Sequence, residues 1–294
     1  MWSIYWKRLL RRCAMSMRAD AHLHFFRPGY AAVLPDSCRR QLPDEVTLYA
    51  ALAQQLAIQQ VLAVGYEGQA WAAGNNIYLA ELAGAQPWIR PAAFVGDPAQ
   101  LDIAALEKLA AQKFVGLSVY VFDDGIESAL ARVDAAVWAW LEKRRWLISV
   151  NSKGARWAAF VPVLERHPQL RLLVSHLGLP PAVEGTMTEA SVHQRLGSVK
   201  ALARFPGVCV KLSGFYALTV PGYDYPHRNA WPYVAVLIES FGVQRLLWGS
   251  DFSPSLEVVS FPQTIGLLAQ MPFLTDKDRE QIEGTNLLRI LGEV

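Results

Sequence analysis

The chain has 294 residues, of which 52% are hydrophobic and 18% are charged, a globular composition that excludes intrinsic disorder. The formal net charge of +2 is too small to indicate a nucleic-acid-binding surface, so we expect no nucleic-acid partner. No apolar run approaches the roughly 20 residues that a transmembrane helix requires, so we expect no membrane partner either.

The first residues, MWSIYWKRLLRRCAMSM, differ from the rest because basic side chains interrupt the apolar ones. This pattern lacks the continuous apolar stretch of a secretory signal. We predict that residues 1–17 are a basic leader outside the core, and that residues 18–294 form one domain. A basic amphipathic helix on the protein surface is the alternative for the leader.

Eight short runs rich in β-branched and apolar residues are spaced along the remainder of the chain. In chain order they lie within ADAHLHF, LAIQQVLAVGYEG, IRPAAFVGD, FVGLSVYVF, WLISVNS, LRLLVSHLG, GVCVKLSGF and QRLLWGSDF. Their nearly continuous apolar character is typical of parallel strands that are covered on both faces. We therefore predict eight strands of a parallel sheet.

Helical patterns lie between most of these strands. They are TLYAALAQQLA before the second strand, ALEKLAAQ before the fourth, IESALARVDAAVWAWLEKRR before the fifth and ARWAAFVPVLERHP before the sixth. The alternation of strands and helices predicts an α/β fold, a single-domain (β/α)₈ TIM-type barrel. An open doubly wound sheet is the alternative, but the glycine fingerprint of a dinucleotide-binding fold does not follow the first strand.

The chain contains three cysteines, Cys13, Cys38 and Cys209, and no C-x-x-C spacing. An odd count without such spacing argues against a disulfide framework and fits a reducing compartment. We therefore predict a cytoplasmic location. The sequence does not indicate an oligomeric state.

Polar side chains interrupt the apolar runs where five of the predicted strands end. They are His22 and His24, Asn151, His176, Lys211 with Ser213, and Asp251. The C-terminal ends of barrel strands form the active-site face, so we expect these groups to meet there. Because side chains at i and i+2 share one face of a strand, His22 and His24 should point the same way. Two such imidazoles can bind one divalent cation, or both can donate to a substrate oxygen.

Each of these residues also has a structural explanation. His176 fits a hydrogen-bonded core histidine, Asp251 fits a turn residue, and Lys211 fits an ion pair across the barrel. We favour a functional site because several independent strand ends carry titratable groups in apolar surroundings. Burying such groups is costly unless they pair with one another or take part in chemistry.

Aromatic and polar residues near the predicted strand ends are candidates for binding a substrate. The segment after the seventh strand, GFYALTVPGYDYPHRNAWPY, is predicted to be a lid or a pocket wall, because it follows a strand on the active face. An ordinary surface loop packed by its own rings is the alternative. The candidate substrate-binding residues are Arg27, Tyr66, Tyr120, Asn151, Lys211, Tyr216, Tyr225, His227 and Arg228.

Four motifs resemble those of the amidohydrolase-2 branch of the metal-dependent hydrolases. DAHLHFFRP resembles the first-strand motif, and VSHLGLP, VCVKLSGFY and LLWGSDFSP resemble those of the sixth, seventh and eighth strands. The ending IEGTNLLRILG resembles the closing helix of that branch. The resemblance covers nearly the whole chain after Arg18 and implies the same barrel. The most similar subgroup contains sugar-lactone and other lactone hydrolases, whereas aromatic-acid decarboxylases are more distant.

By this resemblance, His22 and His24 match the first-strand pair, His176 the sixth-strand histidine and Asp251 the eighth-strand aspartate. Asp251 would take a proton from water, and the three histidines would stabilise charge on a carbonyl oxygen. The expected activity is a hydrolase that opens a small lactone, a cyclic ester of the sugar-lactone type, as its small-molecule substrate. The alternatives are a metal-dependent decarboxylase of an aromatic acid and a non-catalytic binding barrel.

Two departures from the resembling family concern the cofactor and the charge of the substrate. Metal-bound relatives usually carry a histidine at the end of the fifth strand, where this chain has Asn151, and an amide oxygen is a poor zinc ligand. The expected cofactor is therefore none, or one weakly held Zn²⁺ with His22, His24 and Asp251 as ligands. Relatives often carry an arginine near the end of the fourth strand, which suits a carboxylate, but this chain has Ser118 in that region.

Overall fold

The computed structural model describes residues 17–27, 29 and 44–294, and residues 1–16 of the predicted leader lie outside the described residues. Eight parallel strands form one sheet in which each strand pairs with the next along the chain. The strands are β1 (Arg18–Leu23), β2 (Ile58–Val64), β3 (Ile89–Val95), β4 (Gly116–Val121), β5 (Leu147–Ser152), β6 (Arg171–Val174), β7 (Val208–Leu212) and β8 (Leu246–Trp248). The predicted strands and the predicted barrel are confirmed.

The barrel closes between β1 and the segment that follows β8. Leu23 and Phe252 form a parallel bridge, and the Asp251 N–H donates to the His22 carbonyl oxygen at 2.8 Å. The His24 N–H donates to the Phe252 carbonyl oxygen at 2.5 Å. Three candidate site residues are therefore positioned by the same backbone hydrogen bonds that close the barrel.

Helices surround the sheet. They are α1 (Glu45–Leu56), α2 (Asn75–Ala85), α3 (Ile103–Ala111), α4 (Asp124–Ala131), α5 (Ala135–Lys143), α6 (Val161–Arg166), α7 (Glu189–Arg195), α8 (Gly197–Lys200), α9 (Trp231–Phe241), α10 (Phe261–Gly266), α11 (Asp276–Glu280) and α12 (Asn286–Leu291). A π-helical turn, Gln281–Thr285, joins the last two. Within the part of the chain that the structure describes, no helix combines the length and the apolar character needed to cross a membrane.

Two predicted helices are each divided in the structure. The pattern IESALARVDAAVWAWLEKRR forms α4 and α5, because the Asp134 side chain accepts a hydrogen bond from the Ala136 N–H and so starts a new helix. The pattern ARWAAFVPVLERHP forms a 3-10 segment, Gly154–Phe160, followed by α6, whose first turn contains Pro162. Proline lacks an N–H and is favoured in the first turn of a helix, which explains where α6 begins.

The N-terminal end of the barrel is filled with apolar side chains. Buried strand residues, Ala19 and Leu62 among them, pack in one cluster with Leu287 of α12. At the same end, Arg18 Nε and Glu283 Oε2 form a buried ion pair at 2.9 Å. This packing closes the N-terminal end, so the open face of the barrel is the one formed by the C-terminal ends of the strands.

Candidate active site

Three histidines and one aspartate converge at the C-terminal end of the barrel. The Nε2 atoms of His22 and His24 are 3.2 Å apart, and Asp251 Oδ1 lies 3.7 Å from the first and 3.9 Å from the second. His176 Nδ1 lies 4.0 Å from Asp251 Oδ2. All four side chains are buried. The structure thus brings together the four residues that the sequence predicts as catalytic.

Asp20 links the two segments that carry these groups, and sequence reasoning missed it. Its Oδ1 accepts the backbone N–H of His22 at 3.0 Å and that of Ser250 at 2.9 Å, while Oδ2 accepts the Tyr49 hydroxyl at 2.7 Å. Burial raises the pKa of Asp20 to about 6, although these hydrogen bonds oppose the shift. The available signal was its position two residues before His22, on the same face of β1.

Asp251 lies on left-handed backbone in the loop after β8, with φ of 56°. Non-glycine residues rarely adopt this conformation, and strained backbone of this kind clusters at functional sites. The Tyr216 hydroxyl donates to Asp251 Oδ2 at 2.6 Å, so this predicted substrate-binding residue contacts the aspartate. The other oxygen, Oδ1, faces the histidine pair.

The hydrogen bond of His24 determines which ring nitrogen carries the proton. Nδ1 lies 2.7 Å from the Val64 carbonyl oxygen, which can only accept, so Nδ1 is protonated and Nε2 of the neutral ring is an acceptor. Burial lowers the pKa of His24 to about 4, and the charge of Asp251 opposes this shift. The Nε2 of neutral His24 is therefore an acceptor that faces Nε2 of His22 at 3.2 Å.

Lys211 is fully buried on β7, directly beside His22. Its Nζ donates to Ser149 Oγ at 2.6 Å and lies 3.2 Å from His22 Nδ1. Burial lowers the pKa of Lys211 to about 7, with Asp20 and Asp251 opposing the shift. Burial and then the charge of Lys211 lower the pKa of His22 well below its usual value. Lys211 therefore supports His22 from within the barrel and is not accessible for the predicted contact with a substrate.

His176 lies in a 3-10 turn directly after β6, on left-handed backbone with φ of 51°. Ser213 Oγ is 3.0 Å from its Nδ1, and its ring centroid is 4.5 Å from that of His22. Burial lowers the pKa of His176, and the charge of Asp251 opposes this shift. Gly214, with φ of +66°, faces the ring so closely that a Cβ would lie 2.5 Å from Nδ1. The fit of His176 therefore depends on a glycine at this position.

An open cavity of about 480 Å³ adjoins the histidine pair. His24 lines it together with Tyr66 and Tyr120, two predicted substrate-binding residues. Burial raises the pKa of Tyr120, and the charge of Asp251 adds to the shift, so its hydroxyl stays protonated. The cavity is walled by six aromatic rings, those of Phe26, Tyr66, Trp71, Phe94, Tyr120 and Phe122. Sequence reasoning did not assign the three phenylalanines to the site, because apolar residues at strand ends resemble core residues.

Asn151 lies near the C-terminal end of β5, in register with Tyr120 of β4. Its Oδ1 is buried and has no hydrogen-bond partner within the described residues. A buried acceptor without a partner costs free energy, which a donor group on a ligand would recover. Asn151 therefore remains a candidate for contact with a substrate.

The two predicted substrate-binding arginines do not line the cavity. Arg27 pairs with Glu81, and its side chain is 62% exposed. Arg228 is exposed and stacks on Trp231, with its guanidinium carbon 5.1 Å from the ring centroid. Both side chains are engaged by neighbouring residues on the surface, so we do not retain them as substrate contacts.

The segment after β7 contributes Tyr216 to the site, but its other predicted residues pack elsewhere. His227 is buried, and its Nδ1 lies 2.9 Å from Thr219 Oγ1. Burial lowers the pKa of His227. His227 and Tyr225 line a separate cavity of about 20 Å³ beside Trp248, large enough for about one water molecule. The predicted contact of these two residues with a substrate is therefore not retained.

The side chains of His22, His24 and Asp251 could hold one metal ion. Their ligand atoms lie within 4.8 Å of one another, and two imidazoles with one carboxylate form a ligand set found in catalytic zinc sites. The Nδ1–H of His24, bound to the Val64 carbonyl oxygen, leaves Nε2 oriented as a ligand. The ammonium group of Lys211 lies 3.2 Å from His22 Nδ1, so its positive charge would repel a metal ion bound to His22. The residues thus fit one ion that would be held against an adjacent positive charge.

The model of the amidohydrolase family matches residues 19–292, nearly the whole chain. The chain belongs to the amidohydrolase family. The resemblance carried by the four sequence motifs is therefore confirmed, and this amidohydrolase is an enzyme of a hydrolase family.

Individual relatives of this amidohydrolase are distant or match it in part. L-fucono-1,5-lactonase from Burkholderia ambifaria is 33% identical over 97 residues, which is 33% of this chain and 31% of that protein. The match therefore spans about a third of the length of this curated relative.

Two solved structures resemble the barrel over almost their full length. A zinc-bound amidohydrolase from Burkholderia multivorans has a TM-score of 0.73 at 20% identity, covering 94% of this chain and 99% of that chain. A Pseudomonas putida protein assigned as a 2-pyrone-4,6-dicarboxylic acid hydrolase has a TM-score of 0.69 at 19% identity, covering 94% and 98%. At these identities the likeness establishes the fold alone.

Proposed function

We propose that this amidohydrolase hydrolyses a lactone, which is a cyclic ester, to the open hydroxy acid. One observation carries the proposal: the Asp251 carboxylate lies buried against three histidines beside a cavity large enough for a ring compound. The partial similarity to L-fucono-1,5-lactonase supports an ester as the bond that is cleaved.

In this proposal Asp251 acts as the general base. The Tyr216 hydroxyl holds Oδ2 and so fixes the orientation of the carboxylate. A water molecule gives a proton to Asp251 while its oxygen attacks the carbonyl carbon of the lactone. The ring C–O bond then breaks, and the proton passes from Asp251 to the departing alkoxide. This sequence of steps yields the hydroxy acid and restores the carboxylate of Asp251.

Charge that develops on the carbonyl oxygen requires hydrogen-bond donors. Neutral His24 cannot donate from Nε2, because its proton is on Nδ1. We assign the donor role to His176 and Tyr120. In this assignment the Ser213 hydroxyl donates to His176 Nδ1 and leaves the imidazole proton on Nε2, and burial keeps the Tyr120 hydroxyl protonated. The proposed donors therefore differ in part from those expected from the sequence.

A divalent metal ion is compatible with this scheme. His22, His24 and Asp251 would hold it, and an ion bound there supplies Lewis-acid polarisation of a carbonyl group. We propose that any such ion is weakly held, because Lys211 places a positive charge beside His22. An amide oxygen is a poor ligand for zinc, so Asn151 near the end of β5 adds no strong ligand to this set.

Hydrolysis of a panel of lactones by the purified full chain tests the proposal. A pH indicator records acid release, and metal content is measured on the same sample. Asp251→Asn should lower kcat by at least about 100-fold, because a general base contributes roughly 10²–10⁴ to the rate. The matched control is Asp102→Asn, an exposed helix N-cap that does not line the cavity.

Near-full activity of Asp251→Asn would overturn its role as the base. A wild-type protein that opens no lactone would overturn the proposed activity. Release of carbon dioxide from an aromatic acid by such a protein would identify the decarboxylase alternative. Loss of lactone hydrolysis after chelation, restored by Zn²⁺, would show that a metal ion is required.

A further inference from the structure

The open cavity beside the catalytic residues is lined by aromatic rings. The ring centroids of Tyr66 and Tyr120 are 5.0 Å apart, and those of Tyr66 and Phe94 are 5.6 Å apart. Phe26 and Trp71 form an edge-to-face pair at 4.7 Å. These separations fall in the range of roughly 4.5–7 Å at which aromatic rings attract one another. A further ring that enters the cavity would therefore find aromatic partners on several sides.

The volume of the cavity exceeds what a single lactone ring requires. It measures about 480 Å³, whereas an apolar protein cavity of roughly 150 Å³ holds a benzene molecule. The space is thus about three times that of one six-membered ring. A bicyclic substrate would fill the cavity better than a monocyclic one and would cover more of the ring walls.

The charge of the cavity does not suit an anionic substrate. Among the described residues that line it, none is a lysine or an arginine, and Asp123 is the one acidic residue. A carboxylate on the substrate would therefore meet no cation among the described lining residues, although Lys153 lies behind the wall, with Nζ 5.9 Å from the ring centroid of Phe122.

The polar side chains of the lining are partly engaged by neighbouring residues. Gln69 Oε1 accepts the Trp71 indole N–H at 2.6 Å, and Asp123 Oδ1 accepts the Ile126 N–H at 3.0 Å. Among the described lining residues, the remaining polar groups of the side chains are the Gln69 amide N–H₂, the second Asp123 oxygen, the His24 ring and the hydroxyls of Tyr66 and Tyr120. Each additional substrate hydroxyl buried against these rings would lose its hydrogen bonds to water without replacement, which is costly.

We propose that the substrate is an uncharged lactone whose ring is fused to, or carries, an aromatic ring. This inference rests on the proposed lactone hydrolysis and names its substrate class. The aromatic part lies between the walls formed by Tyr66, Trp71 and Phe94, and the ester carbonyl lies at the end of the cavity that His24 lines. A sugar lactone or a dicarboxylated pyrone lacks the apolar ring that these walls would cover.

Lactams test the binding mode without turnover, because an amide resists hydrolysis far better than an ester. Calorimetric titration of the full chain with 3,4-dihydroquinolin-2-one and with 2-piperidone compares a bicyclic lactam with its monocyclic core. The bicyclic lactam should bind at least tenfold more tightly. Equal affinity for the two lactams would overturn the inference.

Substitutions in the ring walls locate the binding site. Trp71→Ala and Phe122→Ala should each weaken binding of the bicyclic lactam at least fivefold and change the affinity for 2-piperidone less than twofold. The matched control is Phe273→Ala, which is 41% exposed, as Phe122 is 38% exposed, and lies outside the cavity. Unchanged binding by both wall variants would contradict the proposed position of the aromatic ring.

Turnover distinguishes this inference from the proposed function. Dihydrocoumarin should have a KM at least tenfold below that of δ-valerolactone. Selective binding of the bicyclic lactam without hydrolysis of any lactone would support the aromatic site and contradict the proposed function. Hydrolysis of δ-valerolactone or of a sugar lactone with a KM equal to that of dihydrocoumarin would support the function and overturn the inference.

Discussion

The ammonium nitrogen of Lys211 lies 3.2 Å from Nδ1 of His22, in the interior of the barrel. A lysine that donates to Nδ1 leaves the imidazole proton on Nε2, which is 3.2 Å from Nε2 of His24. The Nδ1–H of His24 in turn donates to the Val64 carbonyl oxygen. One chain of hydrogen bonds, from Lys211 through His22 and His24 to the Val64 carbonyl oxygen, therefore gives all four ring nitrogens a protein partner. A metal ion could bind His22 at Nε2 only after that proton had left.

Replacing the lysine should therefore strengthen metal binding. Lys211→Met keeps the length of the side chain and removes the positive charge beside His22. We expect the dissociation constant for Zn²⁺ to fall at least tenfold, which corresponds to about 1.4 kcal/mol. Calorimetric titration of chelator-treated protein with Zn²⁺ at pH 6.0 measures the change, because the pKa of about 7 leaves the Lys211 amine mostly protonated there.

Lys108→Met, on the exposed face of α3, controls for a general loss of charge. An affinity for Zn²⁺ that is equal in Lys211→Met and in the control would show that the buried ammonium does not restrain metal binding.

The barrel was predictable because each strand is a short apolar run and because four of the intervening segments show a helical pattern. The division of one predicted helix into α4 and α5 was not predicted, because it depends on whether a side chain or the helix backbone accepts a hydrogen bond from one N–H group. The Asp134 side chain captures a backbone N–H and starts a new helix within a sequence that is otherwise uniformly helical in pattern.

The catalytic candidates were predictable because titratable residues at strand ends stand out against apolar runs, as His176 and Asp251 do. Their supporting partners were not predicted: Ser149 differs little from ordinary strand residues, and the signal that Asp20 carries, a carboxylate inside an apolar strand, was overlooked. The position of Arg27 could not be deduced either, because its pairing with Glu81 depends on how α2 packs beside the end of β1. Such contacts arise from tertiary packing, which one sequence does not encode in its local pattern.

The hydrogen bond from Tyr216 to Asp251 predicts a kinetic role that differs from substrate binding. Tyr216→Phe removes the donor to Oδ2, so the carboxylate loses its fixed orientation. We expect kcat for lactone hydrolysis to fall about tenfold, which is less than the roughly 10²–10⁴ that the base itself contributes, while KM changes less than twofold. Steady-state kinetics measure both constants.

Tyr223→Phe is the matched control, because Tyr223 is 74% exposed in the same segment. A raised KM with an unchanged kcat in Tyr216→Phe would instead assign Tyr216 to substrate binding.

The carboxylate of Asp20 should contribute strongly to stability, because it joins β1 to the segment after β8. Asp20→Asn replaces an acceptor with a group that presents an N–H₂ to buried donors. We expect the free energy of unfolding to fall by about 2–3 kcal/mol, as for the loss of a buried hydrogen-bond network. Tyr49→Phe removes one of the three bonds and should cost about 1 kcal/mol.

Urea unfolding monitored by tryptophan fluorescence measures these changes, with Asp102→Asn as the surface control. A loss for Asp20→Asn no larger than that of the control would show that the three hydrogen bonds do not hold the two segments together.

Buried histidines should make the protein less stable in mild acid. Burial lowers the pKa of four of them below the usual value of 6.5: His22, His24, His176 and His227. Below about pH 6.5 the unfolded chain therefore binds more protons than the native protein does. The free energy of unfolding should fall as the pH decreases from 6.5 towards 4, the approximate pKa of His24 in the native protein.

Two buried acids act in the opposite direction. Burial raises the pKa of Asp20 to about 6 from its usual 3.8, and it also raises the pKa of Glu283. Between the unfolded and native pKa values, each acid keeps an extra proton in the native state, which stabilises the fold as the pH falls. Two such acids offset part of the effect of four histidines, so the net stability should still decrease.

Urea unfolding at pH 7.5, 6.5, 5.5 and 5.0 measures this dependence. Each additional proton that the unfolded chain binds relative to the native protein lowers the free energy of unfolding by up to roughly 1.4 kcal/mol per pH unit. The fall in this free energy between pH 6.5 and 5.0 should therefore be well resolved. His227→Gln removes one buried histidine outside the catalytic group and should make the decline shallower. His193→Gln, on the partly exposed face of α7, is the matched control and should leave the slope unchanged. A free energy of unfolding that stays constant or rises between pH 6.5 and 5.0 would contradict the neutral, buried state of these histidines.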